Sequence, residues 1–258
     1  MDESSHFATL DLIFGPMFGG KTSELIRRLN IFSAMGLRCI YINSDKDNRS
    51  TQNFSTHNTT ITSIGNIDSI KIPQDITSII ELHQKYDVFG IDEGQLFTNL
   101  LSTCTDLVEH RNKKVIVASL NGDSERRPFG DIIYLIPLCD DIQKLYPYCQ
   151  LCAKHQKLSR AMFTKCLCEK TDTVLIGNHD TYMPVCRKCY LDPISYKMLP
   201  APPASCTTSG SSSGSSSDSS SGSSPGAEHE QNIPLLTNQH LLHYHSTPDH
   251  DLQSPHSP

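Results

Sequence analysis

The sequence predicts an α/β protein: a parallel sheet flanked by crossover helices, then a small metal-held module, then an unstructured tail. Three observations carry this reading. Residues 1–145 alternate short apolar runs with longer amphipathic segments, the pattern of parallel strands joined by helices. A glycine-rich loop follows the first apolar run and opens a helix. Further on stand two C-x-x-C pairs, and beyond residue 200 the composition collapses to Ser and Gly.

Residues 9–14 (TLDLIF) are expected as the first strand, apolar enough to be covered on both faces. A helix is expected over 22–35, with apolar Leu25, Ile26, Leu29, Ile31 and Phe32 mixed with Arg27 and Arg28, and Gly36 ends it. Further strands are expected over 38–43 (RCIYIN), 86–92 (YDVFGID) and 113–120 (KKVIVASL), with a helix over 96–110 between the last two. Residues 132–146 are expected to finish the sheet, whereas 45–80, rich in Asn, Ser and Thr, reads as partly loop. Between 209 and 224 almost every residue is Ser or Gly, which cannot bury enough apolar surface to offset the entropy of ordering. The expected division is therefore 1–146, a nucleotide-binding domain in the light of the loop motif below; 147–198, a metal-binding module; and 199–258, a disordered tail.

The charge balance follows the same division. The chain of 258 residues has a formal net charge of −6, but the tail holds five of the 28 acids and none of the 22 bases, leaving residues 1–198 at −1. A near-neutral body offers no broad positive field for nucleic acid or for an anionic membrane surface. No run approaches the ~18 apolar residues of a spanning helix, and Asp2 and Glu3 stand where a signal peptide carries positive charge. The expectation is a soluble, cytoplasmic protein whose 10 cysteines are reduced. Cys39, Cys104 and Cys139, isolated among apolar neighbours, read as small core residues. The six tail histidines, loosely spaced, read as solvated side chains.

Gly15, Pro16, Met17, Phe18, Gly19, Gly20, Lys21 and Thr22 match G-x-x-x-x-G-K-[ST] between the first strand and the first helix. In that place the glycines let backbone N–H groups wrap phosphates, and the helix N-terminus adds partial positive charge. Lys21 would neutralise the β- and γ-phosphates of a nucleoside triphosphate, and the Thr22 hydroxyl would bind Mg²⁺. Asp92, at the end of the third expected strand, is the candidate second Mg²⁺ anchor. Glu93 beside it is either a general base or a solvated loop acid. Cys149 with Cys152, and Cys186 with Cys189, have the knuckle spacing of a tetrahedral Cys₄ Zn²⁺ site, which leaves no open position and is therefore structural. Cys166 and Cys168 are the competing ligands.

Taken together, the stretches GPMFGGKTSELIRR, KDNRSTQNFSTH, GIDEGQLF, KVIVASLNGDSERRPFG, YCQLC, FTK and IGNHDTYMPVCRKCY resemble the type II thymidine kinases of animal cytosol, bacteria and poxviruses, over about residues 9–195. The resemblance implies an ATP- and Mg²⁺-dependent phosphoryl transfer to thymidine, a structural Zn²⁺, a lasso loop over the nucleoside, and homo-oligomers. It implies Glu93 as the base toward the 5'-hydroxyl and Asp92 as the magnesium acid. Asp47 and Arg49, as a D-x-R pair, Gln95 and the loop 15–22 fall on the cofactor side, and Arg126 stands beside the site. Met17, Leu120, Ser124, Phe129 and Tyr182 fall around the nucleoside, and Thr173, Val174, Leu175, Ile176 and Gly177 form the lasso segment that reads the base through its backbone. Two positions depart from the family pattern: Leu96 and Ser124 stand where it has aromatic residues. An alternative within the class is a pyrimidine deoxynucleoside kinase of shifted specificity. Another, from a different class, is a P-loop ATPase or switch with a zinc interaction module.

Overall fold

Buried parallel strands need covering on both faces, and the strand parity shows how this chain does it. The computed structural model describes residues 8–47, 64–167 and 181–192. In it β1 (Thr9–Gly15), β2 (Cys39–Ser44), β3 (Asp68–Ile72), β4 (Val88–Ile91), β5 (Lys114–Leu120) and β6 (Asp141–Lys144) form one six-stranded parallel sheet of order β3-β2-β4-β5-β1-β6. Leu10, Leu12, Ile40, Ile42, Phe89, Ile91, Val115 and Val117 point to one face, and Ile13, Cys39, Tyr41, Val88, Ile116 and Ala118 to the other.

The second face is covered by α1 (Lys21–Ala34), whose Leu25, Ile26 and Leu29 recur at helical spacing and are buried. Arg28 on the same helix donates to Asp11 (3.1 Å), Glu24 (3.0 Å), Asp141 (3.0 Å) and Gln143 (2.8 Å), tying α1 to β1 and β6. The first face is covered by a 3₁₀ helix over Thr77–Gln84, by α2 (Leu100–Thr105) and by α3 (Ile132–Leu135), through Ile79, Leu100, Cys104, Ile132 and Leu135. Of these, the fully buried aliphatic side chains Ile79, Leu100 and Leu135 each contribute roughly 1.5–3 kcal/mol relative to exposure. Burial pushes the thiols of Cys39 and Cys139 up to about 11, so both remain neutral packing groups.

Three expectations are corrected. The helix expected over 96–110 begins only at Leu100, because Asn99 takes a left-handed conformation (φ 61°) and Thr98 pairs with Asp75. It ends in a π turn over Asp106–His110. Of 132–146, only Asp141–Lys144 is strand; Ile132 and Leu135, three apart, dip into the core as a short helix, and a 3₁₀ turn over Ile136–Leu138 follows. Within 45–80, β3 and the 3₁₀ helix were not foreseen: DSIKI lies at a sheet edge and its alternation of polar and apolar residues is half exposed.

The second sheet is antiparallel, β7 (Phe163–Cys166) against β8 (Tyr182–Val185), with α4 (Gln150–Ala153) and α5 (Arg187–Leu191) beside it. Its core is small: Cys149, Leu151, Ala161, Leu167, Met183 and Val185. Among the described residues no helix is long and apolar enough to cross a membrane. The tail expected over 199–258 lies outside the described residues.

Candidate active site

The carboxyl ends of β1 and β4 face the N-terminus of α1, which is where an open parallel sheet places its ligands. Gly15 passes so close to β6 that a Cβ there would stand 2.0 Å from the Leu145 carbonyl oxygen, so only glycine fits. The loop then turns through left-handed Phe18 (φ 64°) and Gly20 (φ 82°) into α1. The first intrahelical bond, from Glu24 N to Gly20 O at 3.0 Å, leaves the amides of Lys21, Thr22 and Ser23 ahead of the helical ladder, the arrangement that receives anions. Lys21 is buried to 8% exposure and its Nζ donates to Pro16 O at 3.0 Å, folded over the loop it serves.

Asp92 is 1% exposed, and its Oδ2 accepts from Thr22 Oγ1 at 2.8 Å and from Tyr41 OH at 2.7 Å. Its Oδ1 accepts from the Glu93 amide at 3.0 Å. A hydroxyl and a carboxylate oxygen in contact, next to a buried lysine and a helix N-terminus, fit a Mg²⁺–nucleotide. Tyr41 was not singled out in the sequence, although period 2 in β2 places it on the α1 face. Burial, then the nearby Asp92 charge, holds its hydroxyl well above the ordinary tyrosine range, so it stays a donor. Tyr41→Phe is expected to cost about 1.5–3 kcal/mol, the range for a hydrogen bond to a charged group, measured by urea unfolding.

Glu93 occupies left-handed backbone (φ 52°, ψ 41°). Such a conformation is costly for a side-chain-bearing residue and persists where the surroundings enforce it. Gln95 Nε2 donates to Glu93 Oε2 at 2.6 Å. Asp47, 1% exposed, accepts from Asn43 Nδ2 at 3.0 Å through its carboxylate and from Lys71 Nζ at 3.0 Å through its carbonyl, so it sits at the end of β2 beside the same cleft.

The cysteine module is anchored to this cleft. Thr164 Oγ1 accepts the Met17 amide at 3.0 Å, Met162 O accepts Asn121 Nδ2 at 3.4 Å, and Tyr190 OH donates to Ser124 O at 2.8 Å. Arg126, left-handed at φ 69°, lays its guanidinium over Tyr190 (4.4 Å) and Phe163 (5.8 Å). The Sγ atoms of Cys149, Cys152, Cys186 and Cys189 all lie within 4.8 Å of one another. A Zn–S bond of about 2.3 Å puts neighbouring sulfurs of a tetrahedron about 3.8 Å apart. Cys152 lies 3.8 Å from Cys186 and 3.7 Å from Cys189, so the four thiols fit that ion. Cys166 stays on β7 outside the cluster. Leu120 ends β5, Tyr182 starts β8, and both are half-buried, as are Met17, Ser124 and Phe129. Arg49, Cys168, Thr173, Val174, Leu175, Ile176 and Gly177 lie outside the described residues.

Residues 8–190 match the family model for thymidine kinase. The chain belongs to the thymidine kinase family. Its relatives include the thymidine kinase of Oryza sativa subsp. japonica, 40% identical over 192 residues, 74% of this chain and 69% of that one. The thymidine kinase of Vaccinia virus (strain Western Reserve) is 37% identical over 183 residues, 71% of this chain and 97% of the viral one. That of Myxoma virus (strain Uriarra) is 39% identical over 181 residues, 70% and 95%. Within this thymidine kinase framework the two departures acquire a structural setting. Phe97 is 3% exposed and belongs to the sheet core, so it cannot replace the ring absent at Leu96. Ser124 offers its backbone carbonyl to Tyr190 and no ring at all.

Proposed function

We propose that this chain transfers the γ-phosphate of ATP to the 5'-hydroxyl of thymidine, giving dTMP and ADP. The observation that carries the reading is the Thr22–Asp92 contact of 2.8 Å with Glu93 next in sequence, which sets a metal-anchoring pair and a second carboxylate at one mouth of the sheet. Lys21 and the amides of the α1 first turn hold and neutralise the phosphates, and Thr22 with Asp92 would hold Mg²⁺, which supplies charge stabilisation when bound. The 5'-oxygen forms a bond to the γ-phosphorus as the bond from that phosphorus to the β–γ bridging oxygen breaks. Glu93 takes the hydroxyl proton. Asp47 and Arg49 belong to the phosphate side of the site, and Met17, Leu120, Ser124, Phe129, Tyr182 and the segment 173–177 to the nucleoside side.

The absence of aromatic side chains at Leu96 and Ser124 supports a second reading within the class, a kinase with relaxed base preference. Base–aromatic stacking is worth ~1–3 kcal/mol, or roughly 5- to 150-fold in affinity. A panel of deoxynucleosides with ATP and Mg²⁺ tests both readings. Thymidine is expected to be phosphorylated with the highest kcat/KM; comparable rates with deoxyuridine or other pyrimidines would favour relaxed specificity, and ATP hydrolysis indifferent to nucleoside would overturn the kinase reading. Residues 1–146 as the nucleotide-binding domain, 147–198 as the zinc module, assembly into homo-oligomers and a cytoplasmic location belong to the same proposal. Light scattering of the purified chain tests the assembly.

A further inference from the structure

The segment after β4 is held by more than its own turn. Gln95 is 5% exposed, and its Oε1 lies 2.8 Å from Ser119 Oγ and 3.0 Å from the Leu120 amide on β5. A backbone N–H only donates, so the atom facing Leu120 is the carbonyl oxygen and the NH₂ must face Glu93. Ser119 is fully buried. The backbone of Gln95 is also covered from outside: a Cβ on left-handed Gly130 would stand 2.8 Å from Gln95 O. Gly94 is pressed against Val117 in the same way, with 2.8 Å left for an added Cβ. The amide therefore has one orientation, fixed by β5, and its NH₂ ends 2.6 Å from Glu93 Oε2.

We propose that Gln95 and Ser119 are positioning residues for Glu93, forming a relay from β5 to the base carboxylate; the proposal rests on the reading of Glu93 as base. The relay fixes where the carboxylate sits, while the left-handed backbone of Glu93 sets the direction from which it enters the cleft. The resemblance puts Gln95 on the cofactor side, but its amide is turned to Ser119, Leu120 and Glu93, so Gln95 acts through Glu93.

Gln95→Met is the decisive variant. It keeps the length of the side chain and removes both the acceptor of Ser119 and Leu120 and the donor toward Glu93, so the base carboxylate loses its fixed place. With saturating ATP and nucleoside, kcat is expected to fall about tenfold or more, the scale on which misplaced reacting groups lose rate, with KM for ATP unchanged. Ser119→Ala, which retains the Leu120 bond, is expected to lose kcat in smaller measure, and Ser119→Thr, which restores the hydroxyl, to regain it. If Gln95→Met fails to fold in a thermal melt, the two Ser119 variants carry the same readout. An unchanged kcat, or a loss expressed only as a raised KM for ATP, overturns the proposal. An active Glu93→Gln removes the base reading itself; an inactive Glu93→Gln with an unchanged kcat in Gln95→Met removes the relay alone.

Discussion

Glu93→Gln is expected to lower kcat by about 100- to 10,000-fold, the span that a general base supplies, and to leave ATP affinity unchanged. The amide is nearly isosteric and can still accept from Gln95 Nε2, so what disappears is the capacity to take a proton. On the proposed reading the nucleotide is held by Lys21, the α1 N-terminus and the Thr22–Asp92 pair, whose own side chains the substitution leaves in place. Single-turnover kinetics with saturating ATP separate this loss from a binding defect. The backbone gives a second check. Glu93 stands at φ 52°, where a Cβ costs roughly 1–2 kcal/mol, against the ~0.5–1 kcal/mol that glycine's extra freedom costs on folding. Glu93→Gly is therefore expected to be inactive yet no less stable than Glu93→Ala, which loses the same Gln95 bond, by urea unfolding. Near wild-type turnover in Glu93→Gln would remove the base assignment, and a Glu93→Gly less stable than Glu93→Ala would show that the strained turn is not strained.

What was legible in the sequence is what is contiguous. Eight adjacent residues and their strand-to-helix setting identify the phosphate loop, and two short cysteine pairs identify the cluster. The strands buried on both faces were legible too, since β2, β4 and β5 hold near-continuous apolar runs and only Asp11 interrupts the run of β1. Elements failed where tertiary context overrides local pattern. DSIKI becomes a strand because β2 pairs with it from Ile40 to Ser44, and the apolar period from Leu96 onward does not see that Asn99 turns left-handed before α2. The support of the site was illegible for a related reason. Tyr41 meets Asp92, and Ser119 meets Gln95, only because the sheet order places β2 and β5 on either side of β4. No spacing along the chain encodes those meetings. Arg126, beside the site by resemblance, rests its guanidinium on the Phe163–Tyr190 pair of the cysteine module, whose centroids are 5.5 Å apart.

The second large effect is expected at the cysteine module. A two-stranded sheet of four-residue strands over a core of six buried side chains is too small to be ordered by packing alone. Structural Zn²⁺ contributes about 10–16 kcal/mol in zinc-finger peptides, a term that a core this small cannot replace once the entropy of ordering its chain is set against it. The native chain is therefore expected to carry one Zn²⁺ by elemental analysis, and Cys149→Ser with Cys186→Ser to carry none. Cys166→Ser, outside the cluster, is expected to retain the metal. Loss of the module releases Thr164 from the Met17 amide and Met162 from Asn121, so the phosphate loop and the loop after β5 lose their outer supports together. The metal-free double variant is expected to show a raised KM for ATP and a strong loss of kcat, while the six-stranded sheet, whose two cores lie elsewhere, retains its own unfolding transition. Fully active protein without zinc would overturn the structural role. A metal-free variant that lost its nucleoside KM but kept its ATP KM would instead confine the module's influence to the nucleoside side, and would show that the Thr164–Met17 bond does not support the phosphate loop.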